Sequence, residues 1–453
     1  MPTTRSERRR TTRSPSRAAA LLAAYALLGW LLPACSLLED DAPAEGTAAA
    51  TAAMAPADVV AGLQRALRRR AEAVRTGDRN AFASGLARRA PRVRAEQLTY
   101  FDNLAQLPIA KLGYSFDRRN IVRRGDAYWV VVELTMQLAG YDAAPVVSHD
   151  RFLFRPAPRD DRRMLLRSTT DPAWEAEHDV RPQPWDLGPV EVRGGYGVLG
   201  VFDRGSLPAA AGVIASVEDG IADVSAAVPW PWRRTVVVYA LSSTAFLDSI
   251  EDLPGGDPER LDGVAFPVPA GPDGGTAATR FALNPRMLDR PGPERDRLVR
   301  HELVHVALGE RDDHAPVWLS EGVAEYVSVR PVAPADRVVA QAALERAVDG
   351  VDGLPTRGSF TDPGEEPVVS YGLSWWVCEY VAGSFGEPAL WSLLDELATE
   401  GADETDVLRR LLGLTPEQLA DRAARLMVAT FVPEVAASSG PSGASGPSGS
   451  GAR

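Results

Sequence analysis

The sequence predicts an α+β protein, and three observations carry that prediction. Residues 58–171 open with apolar side chains at helical spacing and continue into runs rich in Tyr, Trp, Val and Phe. From residue 191 a few short apolar segments precede a long helical pattern that holds two of the five histidines. After Val329, apolar residues recur at helical spacing almost to the end. The expected architecture is an N-terminal α+β cone-like domain, then a small mixed sheet with a histidine-bearing helix, and last a helical C-terminal part.

At 453 residues, 45% hydrophobic and 24% charged, the chain is long enough for two or three globular domains. Its net charge of −12 argues against a general nucleic-acid binder, which needs a basic surface. The N-terminus reads as a targeting segment. Arg5, Arg8, Arg9, Arg10, Arg13 and Arg17 precede an apolar stretch from Ala18 to Leu32, and Leu32-Pro-Ala-Cys35 follows. This resembles a bacterial lipoprotein signal over residues 1–35, which implies a lipid on Cys35 and an exported chain tethered to the outer face of the cell membrane. The alternative, an uncleaved anchor, conflicts with an apolar stretch shorter than the ~20 residues of a spanning helix. Residues 36–57, rich in Ala with scattered Pro and Gly, read as a disordered tether, and 435–453, rich in Ser, Gly and Pro, as a disordered tail. With Cys35 so assigned, Cys378 stands among Trp375, Trp376, Val377 and Tyr380 and reads as a buried, inert thiol.

Within 58–171, the spacing of Val59, Leu63, Ala66, Leu67 and Val74 predicts a helix to Arg75, stopped by Gly77-Asp78, with a second helix from Asn80. Strands are expected over 111–123, 127–138, 149–154 and 164–168. The helix–Gly-Asp–helix opening resembles the nuclear-transport-factor-like and cystatin-like superfamilies. Such folds can enclose a pocket, but no acid–base pair stands out here, so a scaffold or ligand-binding role is the default. His149 and His178 are lone histidines and read as structural. Residues 172–190, with four prolines and two tryptophans, read as an interdomain linker that packs against something.

The second domain, 191–434, begins with a strand or hairpin over 191–202, a helix over 207–228 and a buried strand over 235–241. Segments 263–267 and 279–284 flank a Gly-rich loop and predict a hairpin. Pro293 starts the next helix, with Glu294 and Asp296 suiting its N-terminus. Further helices are expected over 336–348, 370–385, 388–398, 404–412 and 416–431.

The chemistry concentrates in 301–326, HELVHVALGERDDHAPVWLSEGVAEY. His301 and His305 are four residues apart, so a helix places both imidazoles on one face, able to share one zinc ion. Glu302 is suited to act as general base toward a water there. A third protein ligand is needed. Glu321 is the candidate: Pro316 opens a second helix in which Glu321 and Glu325 share one side. His314, in a turn before Pro316, is the rival. The competing structural reading is a plain core helix that happens to carry two histidines. A metzincin pattern fails, because Leu308 and Arg311 stand where glycine and histidine are required.

The combination of His301-Glu-Leu-Val-His305 with Trp318-Leu-Ser-Glu-Gly-Val-Ala-Glu-Tyr326 resembles the gluzincin metallopeptidases, in their aminopeptidase-like and thermolysin-like branches. The resemblance implies a zincin-like domain in which His301, His305 and Glu321 bind Zn2+, Glu302 is catalytic, and Glu325 supports a ligating histidine. It also implies a peptide or protein substrate laid along the strand before the zinc helix, here the 263–284 hairpin. Tyr371 matches in sequence order the tyrosine that stabilises the oxyanion in some gluzincins, and it reads equally well as a tyrosine packing on Trp375. No Gly-x-Met-x-Asn-type segment precedes the zinc helix, so aminopeptidase specificity has no support. The expected function is a zinc-dependent peptidase. The alternative is a catalytically silent, zincin-like lipoprotein that binds a ligand of the cell envelope.

Overall fold

The computed structural model describes residues 55–432 apart from 179, 251, 252, 254, 255, 272, 273 and 365. The signal segment, Cys35, nearly all of the tether and the C-terminal tail lie outside the described residues. The chain is α+β, with the helices and strands segregated as follows.

Helix α1 (Ala57–Arg75) buries Val59, Leu63, Leu67 and Val74 along one stripe and stops at Thr76, before Gly77 at φ 68°. Helix α2 (Arg79–Ser84) starts where the Asp78 carboxylate accepts the Ala81 N–H. A third helix, α3 (Pro91–Leu104), opens at Pro91, where only a second helix from Asn80 was expected. Strands β1 (Ile109–Ser115), β2 (Ile121–Arg124), β3 (Ala127–Leu138), β4 (Val146–Ala157) and β5 (Asp160–Ser168) form an antiparallel sheet in the order β1-β3-β4-β5, with β2 also paired to β3. The single strand expected over 111–123 is thus two. The Asp117 carboxylate accepts the Arg119 N–H and starts a 3-10 turn at Arg118–Asn120, which breaks the extended run.

The span expected as a linker carries α4 (Pro172–Glu177) and α5 (Pro184–Leu187). It is tied down: Trp185 is 1% exposed, and the Asn103 side-chain amide donates to the carbonyls of Trp185 and Gly188.

A second sheet follows. It consists of β6 (Glu191–Gly194), β7 (Val198–Phe202), β8 (Val236–Ala240), β9 (Gly263–Pro269) and β10 (Thr276–Leu283), with α6 (Ala210–Ala227) crossing between β7 and β8. The order is β6-β7-β8-β10-β9; β7, β8 and β10 run parallel, while β6 and β9 pair antiparallel at the two edges. Both faces are covered, which is why β7 and β8 read as continuous apolar runs. Val198, Val236, Val238 and Phe281 face the helices, and Leu199, Val201, Val237, Tyr239 and Ala282 join the core of the N-terminal unit.

Helices α7 (Pro285–Leu288), α8 (Pro293–Leu308), α9 (Glu310–His314), α10 (Val317–Ser328), α11 (Gln341–Asp349), α12 (Glu366–Phe385), α13 (Glu387–Leu397), α14 (Glu404–Leu412) and α15 (Pro416–Phe431) complete the molecule. Three boundaries differ from expectation. Residues 311–314 belong to the short helix α9 rather than a turn. The helix expected from 336 starts at Gln341, after a 3-10 turn opened by Pro334. The helix expected from 370 starts at Glu366, so Tyr371 lies within α12. Among the described residues, no helix is long and apolar enough to cross a membrane.

Candidate metal centre

Helix α8 forms where Pro293 fixes its first turn and Glu294 and Asp296 face its positive N-terminal end. It is wedged between the sheet, α6 and α10, and most of its residues from Val299 to Leu308 are buried. His301 and His305 are each 8% exposed and lie on the face turned to α10. Glu321, one turn into α10, completes the group.

The three donor atoms form a compact triangle. His301 Nε2 lies 3.2 Å from His305 Nε2 and 3.2 Å from Glu321 Oε2, and His305 Nε2 lies 3.5 Å from Glu321 Oε2. Ligand atoms held tetrahedrally at 2.0–2.1 Å from one metal are about 3.3 Å apart, so the spacing fits a shared ion. Among the described residues, His301, His305 and Glu321 are the group that can hold a metal ion. His314, the rival third ligand, is exposed at the end of α9 and outside this group.

Each imidazole is braced from behind by a carboxylate. His301 Nδ1 lies 3.1 Å from Glu325 Oε1, and Arg297 donates to the other oxygen of Glu325. His305 Nδ1 lies 2.9 and 3.1 Å from the two oxygens of Asp312, which also accepts the Ser320 hydroxyl. These contacts fix the ring orientations and leave both Nε2 atoms aimed at Glu321. The expected support from Glu325 is present in the geometry. Asp312 and Ser320 carry no spacing signal relative to the histidines, since α9 read as a turn, and the sequence did not single them out; Arg297 stands four residues before His301 on α8, but its bond to Glu325 crosses to α10, which that spacing does not foretell.

The electrostatics also suit a cation. Burial works against an imidazolium at His301, yet the carboxylates of Glu321 and Glu325 outweigh it and hold the ring up to about 9. Burial opposes the same charge at His305, and Asp312 and Glu321 again outweigh it. Burial alone would raise the Glu321 carboxyl, but His305 and His301 hold it far below the carboxylate range. A donor set that stabilises positive charge in a buried place, with both imidazoles oriented, fits a metal dication.

Glu302 is 4% exposed and reaches β9, where the Ala265 N–H donates to its carboxylate. Burial pushes that carboxyl up, and His301 and His305 pull it back. Tyr371 reaches the same place from α12, its ring 6.1 Å from His301 and 5.2 Å from Phe360. The negative charge of Glu321, then burial, hold its hydroxyl protonated well above the usual phenol range. Two cavities meet at this point. One of about 320 Å³ touches all three donors, Glu302 and Tyr371; the other, of about 870 Å³, touches His301, Glu302 and Tyr371 and extends past Leu298, Val329 and Val368. Cys378 is buried with its thiol pushed up by burial and takes no part. His149 lies exposed beside Glu133, and His178 stacks on Trp174, both remote from the group.

No protein-family model matches the chain, and no curated protein matches it.

Proposed function

We propose that the protein is a zinc-dependent peptidase of zincin-like, gluzincin-type architecture, held at the outer face of a membrane by a lipid on Cys35. One observation carries the reading: the triangle of His301, His305 and Glu321 opens onto a cleft that also holds the buried carboxylate of Glu302. A metal held only for structure has no need of an unligated acid and a substrate-sized cavity beside it.

When bound, zinc supplies Lewis acidity toward water and the scissile carbonyl. The other roles fall to the chain. Glu302 takes the proton of the attacking water and delivers it to the leaving amine, a transfer helped by burial, which raises its basicity. Tyr371, kept protonated, donates toward the oxygen that gains charge. Among the described residues, strand β9 is the edge of its sheet, paired only to β10, and its residues Gly263 to Ala265 line the smaller cavity. An extended peptide can add to that edge by backbone hydrogen bonds. Glu325 and Asp312 hold the imidazoles.

The test compares wild type with Glu302→Gln, both supplied with zinc, by elemental analysis and by cleavage of a mixed peptide library. We expect one zinc per chain in both and cleavage lost only in the variant, by roughly 100-fold or more. Cleavage retained by Glu302→Gln removes the proposed base. Zinc bound without any turnover in wild type would leave the silent, ligand-binding alternative.

A further inference from the structure

The two halves of the molecule differ sharply in charge. Residues 57–171 carry 21 basic and 13 acidic side chains, whereas residues 172–453 carry 22 and 43. The acidic net charge of the chain therefore conceals a basic N-terminal unit.

On that unit, α1 and β1 bound a groove of about 740 Å³. Its floor includes Ala71 and Leu112, both 8% exposed. Its rim carries Arg68, Arg69, Arg75 and Lys111, all exposed, against a single acid, Glu72, which is already paired with Arg75. Arg68, Arg69 and Lys111 have no hydrogen bond or ion pair among the described residues. Among the described residues, some exposed arginines elsewhere are matched, as Arg79 is to Asp102, Arg92 to Glu96 and Arg410 to Glu396, while others, such as Arg88, Arg204 and Arg233, have no ion pair but do not border this groove. Three unmatched cations around one concavity form a surface complementary to anions.

We propose that this groove docks the folded part of the protein onto an anionic phospholipid surface. One further fact favours a membrane over a soluble polyanion. The surplus of 21 acidic charges beyond residue 171 is repelled by the same surface, which turns the basic half toward it and the cleft half away. The inference does not depend on the peptidase reading.

The experiment uses a chain starting at Met54, because residues 54–453 form one compact unit and the core residues all lie within it. Co-sedimentation is measured with vesicles of phosphatidylcholine alone and with one third phosphatidylglycerol. We expect binding to the anionic vesicles only, abolished at high salt. Each cation near such a surface is worth about fivefold in partitioning, so Arg68→Glu, Arg69→Glu and Lys111→Glu together should lower it at least about a hundredfold. Arg204→Glu with Arg233→Glu, two exposed cations of the acidic half, should change it little. Equal binding to both vesicle types, or no loss in the triple variant, overturns the proposal. So does competition by soluble glycerophosphate at low concentration, which would make the groove a small-anion site, or tighter capture by a DNA duplex than by vesicles.

Discussion

At the scale of single residues, the candidate centre depends as much on what stands behind the imidazoles as on the donors themselves. Asp312 accepts from His305 and from Ser320, and it reaches them because the chain reverses at Gly309, where φ 56° and ψ −126° suit glycine alone. Asp312→Asn keeps the shape and removes the charge. We expect zinc affinity, measured by competition with a chromogenic chelator, to fall about 10–100-fold with the fold intact. Unchanged affinity would reduce Asp312 to a surface acid that happens to lie near His305. His301, Glu302 and His305 were legible in the sequence because contacts at i, i+3 and i+4 are fixed by the helix itself; Glu321 and Glu325 were legible as one face of a second helix, and their link to the histidines came from the Trp318–Tyr326 motif rather than from spacing. Asp312 was not, because its position depends on one turn between two helices.

At the scale of elements, the pairing of α10 with α12 sets the shape of the cleft. Gly322 follows the donor Glu321, and a Cβ there would lie 2.5 Å from the Ser374 carbonyl oxygen and 2.8 Å from Cys378 Sγ. Only glycine lets the two helices approach this closely, and that approach brings Tyr371 to His301. Gly322→Ala should cost about 1–3 kcal/mol, read by denaturant unfolding, as α12 is pushed off α10. A variant as stable as wild type would mean that α12 shifts freely and that its position does not define the site. The strand β4 makes a different prediction. Burial, reinforced by Glu175, Asp186 and Asp171, pushes the Asp150 carboxyl up to about 7. A carboxyl raised in the folded state holds its proton more tightly there than when unfolded. Its stabilising contribution is therefore complete below about pH 4 and lost as pH rises from about 4 to about 7, a change of about 1–2 kcal/mol for a half-buried group. Between pH 4 and 7 the melting temperature of wild type should fall relative to that of Asp150→Asn; parallel profiles would assign the effect elsewhere.

At the scale of the whole molecule, the two sheets share one hydrophobic core, and a buried ion pair joins them. Arg280 on β10 is 1% exposed and lies 2.8 Å from Asp142, which sits in the β3–β4 turn; it also donates to the Tyr239 hydroxyl. Nearby, the Ala143 N–H donates to the Ala277 carbonyl. Asp142→Ala would strand the guanidinium in the core and should cost about 3–5 kcal/mol. Calorimetry should then show both halves unfolding earlier together. If only the N-terminal half melts early, the shared core is not cooperative.

The sequence by itself determined what repeats along one helix or one strand. That includes the i, i+4 histidines, the Glu321–Glu325 face, the strands expected over 127–138 and 235–241, and the start of α8 at Pro293. These depend on local geometry, which neighbouring residues fix without help. Only the tertiary structure decided that Glu321 closes a triangle on two histidines while His314 does not, and that α12 begins early enough to carry Tyr371 into the cleft. It alone showed that the segment expected as a packed linker carries two short helices and is held by Asn103, and that the basic side chains of α1 and β1 gather at one groove. Such contacts join residues tens to hundreds of positions apart, and their geometry comes from how sheets and helices pack, which no periodicity encodes.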